Sequence, residues 1–249
     1  MQCLVCGETL EKEKSWEHLR GRHLAPFGVT QEMVFHHARM EAQPLELKIA
    51  YLTCINLKRK CIYFSLENAE LLIAYGFRHG SIPWTDIVEW QILHEKGHLT
   101  CRGLYDLPES FRFYVLANAE DYYINRYLIP ERYWPVCVLN ARCATEIRNI
   151  APMPYELRDG YYYCTLATFI AYGAVTFGEI RFLKPSESKF VDAIAKYFGK
   201  IKGIEDILVV TEVIGGIFAR LYPPRGVSWD NWDIPEPENN LNPITSGAV

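Results

Sequence analysis

The sequence lacks an excess of positive charge. Its 249 residues carry 26 Lys and Arg against 30 Asp and Glu, a formal net charge of -4. A protein that holds nucleic acid non-specifically needs a positive field over much of its surface. The overall charge therefore argues against general nucleic-acid binding, and any such role requires a local basic patch.

The sequence also lacks a secretory signal, because its start, MQCLVC, has no charged segment followed by a long apolar one. We therefore expect a cytoplasmic protein in a reducing compartment, where disulfides are rare. Five of the eight cysteines show no metal-type spacing and are predicted to be buried as small hydrophobic residues: Cys54, Cys61, Cys137, Cys143 and Cys164.

One uncharged segment, from Gly160 to Gly178, approaches the length of a membrane span. Glycines and tyrosines are distributed through it, and tyrosine prefers the membrane interface to the hydrocarbon centre. We therefore predict a buried core helix here and no membrane partner.

Four potential metal ligands lie at the N-terminus. Cys3 and Cys6 are followed, after eleven residues, by His18 and His23. Two thiols on a turn and two imidazoles on a following helix, for which Ser15 is the predicted cap, are typical of a closed structural zinc site. The spacing predicts a zinc finger of the C2H2 type over residues 1–25.

The charges of this segment balance, since four glutamates accompany two lysines and the arginines Arg20 and Arg22. DNA-reading fingers usually work in tandem and carry a basic helix. A single balanced finger is more typical of protein docking, or of a staple that fixes the N-terminus to the main domain. Nucleic acid is the weaker alternative as a partner.

A second candidate site lies in an apolar helical pattern between Trp84 and Thr100. It contains His94, Glu95 and His98 in the arrangement HExxH. On a helix the two histidines would share one face, about 6 Å apart along the axis, and could hold one zinc ion with Glu95 beside it. The alternative is that both histidines only form hydrogen bonds within the core.

A third ligand is expected from another helix. The pattern over Val115 to Leu128 predicts an apolar helix with Glu120 and Asp121 in its middle, and buried carboxylates are rare unless paired or metal-bound. A local competitor is Cys101, three residues after His98, whose thiolate would close the site and make it structural.

HExxH followed by the sequence ANAEDYYIN, residues 117–125, resembles the gluzincin type of zincin metallopeptidase, particularly its compact archaeal and bacterial members. A predicted strand at Cys61 to Ser65 and a predicted helix at Leu66 to Phe77 fit the order of elements in that family. The resemblance covers roughly residues 60 to 130.

The resemblance implies that His94 and His98 bind zinc, that Glu95 is the general base and that Glu120 is the third ligand. Asp121 is the alternative, because in related sequences with alanine in place of the first acid the following aspartate is the candidate. The implied activity is hydrolysis of protein or peptide substrates by a zinc-bound water. Two zinc ions per chain, one structural and one catalytic, are expected.

The expected fold class is α+β, with a mainly helical zincin-like core, a small sheet and a ββα-type finger. The peptidase domain would span residues 29–222, including two helices predicted at Glu187 to Lys200 and Ile204 to Leu221. Residues 223–249 are rich in Asp, Glu, Asn and Pro and are predicted to be a flexible tail. The alternative function is a non-catalytic zinc-binding regulator or adaptor that acts through the finger.

Overall fold

The structure is a computed structural model that describes residues 1–45, 48–50, 61–80, 82–102, 113–154, 158 and 160–221. The predicted tail, 223–249, lies outside the described residues. The helices are α1 Ser15–His18, α2 Gln31–Ala42, α3 Leu66–His79, α4 Trp84–Arg102, α5 Phe113–Tyr123, α6 Trp134–Ile150, α7 Gly160–Ala171, α8 Pro185–Phe198 and α9 Ile204–Leu221.

The prediction of an α+β fold with a small sheet is wrong, because the described part of the chain is all-α in class. Its β structure is a parallel ladder of two three-residue segments, β1 (Lys48–Ala50) and β2 (Cys61–Tyr63), too short to form a layer. Helices with wide apolar faces pack on one another instead and leave no face for a sheet to cover.

The ββα description of the N-terminal segment is also wrong. Its hairpin is reduced to one antiparallel bridge between Gln2 and Thr9. A 3-10 turn at Lys12–Lys14 leads into the four-residue α1 and then a π-helical stretch, Leu19–Leu24. Ser15 is not the predicted cap: its hydroxyl donates to the carbonyl of Lys12, because the 3-10 turn starts the helical segment earlier.

The chain divides into two compact units, the first formed by described residues within 1–99 and 129–150. In it α3 packs against α2, α6 and the π stretch, around buried residues such as Ile73 and Phe64. Phe27 stacks on Phe77 with ring centroids 4.1 Å apart. Helix α2 is capped by Thr30, whose hydroxyl accepts from the Met33 amide.

The second unit is formed by described residues within 100–128 and 151–221. In it α5 packs against α7 and α9, and α8 packs against α7. A β-carbon on Gly160 would lie 2.4 Å from the Tyr114 ring, so α7 can begin this close to α5 only with glycine. The buried interior includes Leu116, Leu166 and Phe198.

Of the uncharged segment Gly160 to Gly178, the part Gly160–Ala171 forms α7 with most of its side chains buried, as predicted, whereas the helix predicted for residues 172–178 is absent and turns take its place. Within the described ranges, no helix combines the length and apolarity needed to cross a membrane. Cys137, Cys143 and Cys164 are buried, also as predicted. Cys54 and the side chain of Cys61 lie outside the described residues.

Candidate metal centres

The N-terminal segment brings its four predicted ligands together. The sulfur of Cys3 lies 3.6 Å from Nε2 of His23, and the sulfur of Cys6 lies 3.3 Å from Nε2 of His18. The two Nε2 atoms are 3.2 Å apart. Zinc bonded tetrahedrally to sulfur at about 2.3 Å and nitrogen at about 2.0 Å would separate its ligand atoms by roughly 3.3 to 3.6 Å. The residues therefore fit a closed zinc site.

A tight turn places the two cysteines. Gly7 has φ of 78° and donates its amide to the carbonyl of Cys3 at 2.8 Å. The amide of Cys3 donates to Glu8 at the same distance, one residue before the bridge partner Thr9. Glycine fits this left-handed conformation without the clash that a β-carbon would introduce.

The π-helical stretch brings the two histidines together. His18 and His23 are five residues apart, which on an α-helix would place them about 140° apart around the axis. Hydrogen bonds from residue i to i+5 close a wider turn, and Leu19–Leu24 adopts this π form. His18 and His23 consequently face each other, with ring centroids 5.1 Å apart.

Two arginines fix this segment to α3. Arg20 donates through Nε and Nη2 to the carboxylate of Glu70, which is fully buried, with an Nη2–Oε2 distance of 2.9 Å. Arg78, near the end of α3, donates to the carbonyls of Leu4 and Val5, which lie between the two cysteines. Helix α3 therefore contacts both the turn that carries the thiols and the helix that carries the imidazoles.

Burial changes the ionisation of two of the four ligands. It raises the pKa of the Cys3 thiol, which is 8% exposed. It lowers the pKa of His23, and the neighbouring His18 lowers it further. His23 is therefore neutral near pH 7, the form that binds metal, whereas Cys3 must release its proton when a metal binds.

The central pair lies on α4 within the first unit. The rings of His94 and His98 are 4.9 Å apart between centroids and nearly perpendicular. His98 is 6% exposed, and His94 is half-buried against Trp90. Glu95, the predicted general base, is half-buried on the same helix. The helix predicted from the HExxH pattern is confirmed, and the two histidines share its face.

Glu120 and Asp121 both lie on α5, in the second unit. The last residues of α4 belong to that unit too. Among them, Arg102 donates to the Glu120 carboxylate, with an Nε–Oε2 distance of 3.0 Å and an Nη2–Oε2 distance of 2.9 Å. Glu120 is fully buried, and the side chain of Arg102 is 9% exposed. Both carboxylate oxygens of Glu120 accept from this guanidinium, whereas Asp121 is half-buried.

Cys101, the local competitor, is fully buried in the last turn of α4. Burial, and then the charge of Glu120, raises the pKa of its thiol to about 12. The thiol of Cys101, like that of Cys3, would therefore have to release its proton to bind zinc.

A third group of potential ligands, His37, Glu41 and Glu89, lies within the first unit, with its ligand atoms within 4.8 Å of one another. Glu89 already accepts from the Tyr133 hydroxyl at 2.6 Å and from Arg132 at 3.5 Å. Since a cation already faces this carboxylate, the group forms a polar network and we assign no metal to it.

Sequence reasoning missed the side chains that hold these sites in place. Arg20, Arg78 and Arg102 each bind a group that lies far away in sequence or on another element. A buried acid in an apolar helical pattern, as at Glu70 and Glu120, signals that some cation is needed. The pattern does not say which cation supplies the pairing.

Comparisons of the chain with protein-family models, with curated proteins and with solved structures found no match. The resemblance to gluzincin peptidases therefore stays a prediction.

Proposed function

We propose that the protein is a zinc-dependent peptidase with a separate structural zinc site at its N-terminus. The observation that carries the catalytic part is the pair His94 and His98 on one face of α4, with Glu95 on the same helix. Two neutral imidazoles and an adjacent carboxylate are what metal-assisted hydrolysis requires.

The third ligand stays a prediction of the family resemblance, Glu120 with Asp121 as the alternative. Within the second unit, the Glu120 carboxylate is held by the guanidinium of Arg102, so a metal ion bound by Glu120 would have to displace a buried ion pair.

Zinc held in this way would lower the pKa of a bound water to about 7. Glu95 would accept the proton of that water and return it to the leaving amine of the peptide, which is general acid–base catalysis.

The N-terminal site is proposed to hold zinc as a staple for the first unit. The Arg20–Glu70 pair and the contacts of Arg78 occupy the finger on the side that faces α3. Arg22 is paired with Glu8 at 3.2 Å. These pairings neutralise the arginines that a nucleic-acid role would need. Docking of a protein partner on another surface of the finger remains the alternative role.

Zinc stoichiometry tests the proposal directly. We expect two zinc ions per wild-type chain, one in Cys3→Ala and one in His94→Ala, measured on purified protein after removal of loose metal. Asp121→Asn and Glu120→Gln, each measured beside His94→Ala, would show which of the two predicted carboxylates, if either, that ion requires.

Glu95→Gln tests the chemistry. This variant should keep both zinc ions while peptide cleavage falls at least about 100-fold, because the base is lost and the ligands are not. Undiminished cleavage would rule out the peptidase proposal. Two zinc ions with no turnover on any peptide tried would support the non-catalytic regulator or adaptor.

A further inference from the structure

An open pocket with a volume of about 330 Å³ lies between α3 and α6 in the first unit. Its polar lining consists of Tyr75 and His79 from α3 and Arg142 from α6. None of these side chains has a part in the proposed peptidase chemistry or in the N-terminal zinc site. Ligand pockets range from about 300 to 1,000 Å³ and combine mostly apolar walls with a few polar groups. The pocket therefore has the size and polar content of a site for a small molecule.

The walls of the pocket are apolar. Gly76 lets α3 and α6 approach closely, because a β-carbon on it would lie 3.1 Å from the Leu139 side chain. Leu139 and Val138, both on α6, line the pocket together with Ile82. These side chains offer the body of a ligand an apolar surface, and removing that body from water would favour binding.

Tyr75 supplies a buried polar group that faces this pocket. Its side chain is 6% exposed, and the ring of His79 lies against it with the ring centroids 4.2 Å apart. Buried tyrosines usually form a hydrogen bond through the hydroxyl, as Tyr133 of the same unit does with Glu89 at 2.6 Å. Within the described ranges of the chain, no hydrogen bond engages the Tyr75 hydroxyl. A ligand in the pocket would supply the acceptor.

The charges around Tyr75 select the kind of acceptor. Burial raises the pKa of Tyr75 to about 12, so its hydroxyl keeps the proton near pH 7 and can donate it in a hydrogen bond. One carboxylate, that of Glu146, and two guanidinium groups, those of Arg142 and Arg78, act on this hydroxyl. The local excess is one positive charge in a chain whose net charge is -4. This excess favours a ligand with a single negative charge.

We propose that this pocket binds a small carboxylate with an apolar body, whose oxygens meet the Arg142 guanidinium and the Tyr75 hydroxyl. A guanidinium matches the two oxygens of a carboxylate, and a phenol hydroxyl can donate to one of them. A phosphate monoester carries about -1.5 to -2 charges, which exceeds the local positive charge and would be repelled by Glu146. The proposal does not rest on a metal ion at α4.

The test uses 3-phenylpropionate as the probe, titrated calorimetrically into the full-length chain with its metals bound. We expect a Kd on the order of 1 mM or tighter, as for a ligand of this size. The uncharged 3-phenylpropionamide has nearly the same shape and should bind at least about 10-fold more weakly. The dianion 2-phenylethyl phosphate should also bind more weakly than the carboxylate.

Two variants locate the binding site. Tyr75→Phe and Arg142→Met should each weaken binding of 3-phenylpropionate about 10-fold or more, because each removes a hydrogen bond to a charged group. Tyr75→Phe keeps the buried ring, so the free protein should melt as the wild type does. Arg148→Met is the matched control. It removes another guanidinium of α6, one that donates to the Ala144 carbonyl at 3.0 Å and lies outside the pocket lining, and it should leave the affinity unchanged.

His94→Ala separates this pocket from the central site, because a zinc ion on α4 could also bind a carboxylate. This variant should bind 3-phenylpropionate as tightly as the wild type does. Binding that is lost in His94→Ala but kept in Tyr75→Phe and Arg142→Met would overturn the proposal. Absence of carboxylate binding, equal binding of the amide, or tighter binding of the phosphate would overturn it too. The proposed function is tested separately by zinc stoichiometry and stands or falls independently of these results.

Discussion

The two candidate zinc centres differ in where their ligands come from. At the N-terminus, four ligands within residues 3–23 of one unit lie together, and three of the distances between their ligand atoms are 3.2 to 3.6 Å. On α4, one helix supplies two imidazoles. Four ligands close the coordination of a structural ion, whereas two imidazoles alone would leave coordination positions for water and substrate.

The difference also bears on folding. The N-terminal segment has short helices and a single bridge, so before a metal binds its ligands are held together mainly by the contacts with α3. Helix α4 runs from Trp84 to Arg102 and carries buried apolar residues, so its packing does not depend on a metal. Zinc should therefore be part of the folding equilibrium at the first centre and a bound ligand of a preformed helix at the second.

The largest expected effect comes from Cys3→Ala. Structural zinc contributes about 10–16 kcal/mol of binding free energy in isolated finger peptides, so its loss should unfold the segment and cost several kcal/mol. Thermal melting and amide hydrogen exchange over residues 1–25 would measure this. Cys143→Ala removes another buried thiol of the same unit and should cost much less.

His94→Ala completes that test at the other centre. This variant should lose one zinc ion. Its unfolding free energy should fall by less than about 1 kcal/mol, because alanine favours the helix and the His94 side chain is only half-buried. If His94→Ala destabilised the protein more than Cys3→Ala, zinc would be part of the folding equilibrium at the second centre rather than at the first.

Arg102→Met is expected to be the next most damaging change. It would leave the fully buried Glu120 carboxylate without its guanidinium, at a cost of about 3–5 kcal/mol in urea unfolding. Arg102→Met combined with Glu120→Leu should recover most of the loss, since no buried charge remains. Equal stability of the single and double variants would contradict this account.

Arg20→Met should cost less, about 1–3 kcal/mol, although Glu70 is fully buried too. The side chain of Arg20 is 38% exposed, so water screens the pair and can reach the carboxylate after the change. Arg22→Met is the control: both members of its pair with Glu8 are well exposed, and the expected cost is below about 1 kcal/mol. If urea unfolding showed a larger loss of unfolding free energy for Arg22→Met than for Arg20→Met, Arg20 would not be what fixes the segment to α3.

A small effect is also expected at Gly7. Because Gly7 has φ of 78°, Gly7→Ala should lower the unfolding free energy by about 1–2 kcal/mol. The zinc stoichiometry should not change. Gly21→Ala lies in the same segment with open space around the added carbon, and it should be neutral or slightly stabilising. Melting curves of the two variants would give the difference, and equal curves would show that the turn does not need glycine.

Local patterns predicted the local features. The helices Leu66–His79 and Ile204–Leu221 follow apolar spacing, and they lie where the periodicity indicated. The four N-terminal ligands could also be chosen from the sequence, because all of them lie within a few turns of chain. Helix α6, Trp134–Ile150, was not predicted from the sequence.

Features that depend on distant partners could not be predicted. Nothing in the pattern around Glu120 shows that Arg102, eighteen residues earlier, takes both of its oxygens. The predicted strand at Cys61 to Ser65 suggested a sheet, yet its first three residues form only a short ladder with Lys48–Ala50. In both cases tertiary packing decided between options that the local sequence left equal.

Because His18 and His23 are joined by a π-helical turn, we expect the number of residues between them to tolerate a change of one. Gly21 lies within the turn, is exposed and has no neighbour within 4 Å of a β-carbon position. Deletion of Gly21 would place the two histidines four residues apart, a spacing at which an ordinary α-helix already brings them to one face. We expect a chain with Gly21 deleted to keep its N-terminal zinc, as metal analysis would show, so His-x3-His and His-x4-His belong to one family of spacings.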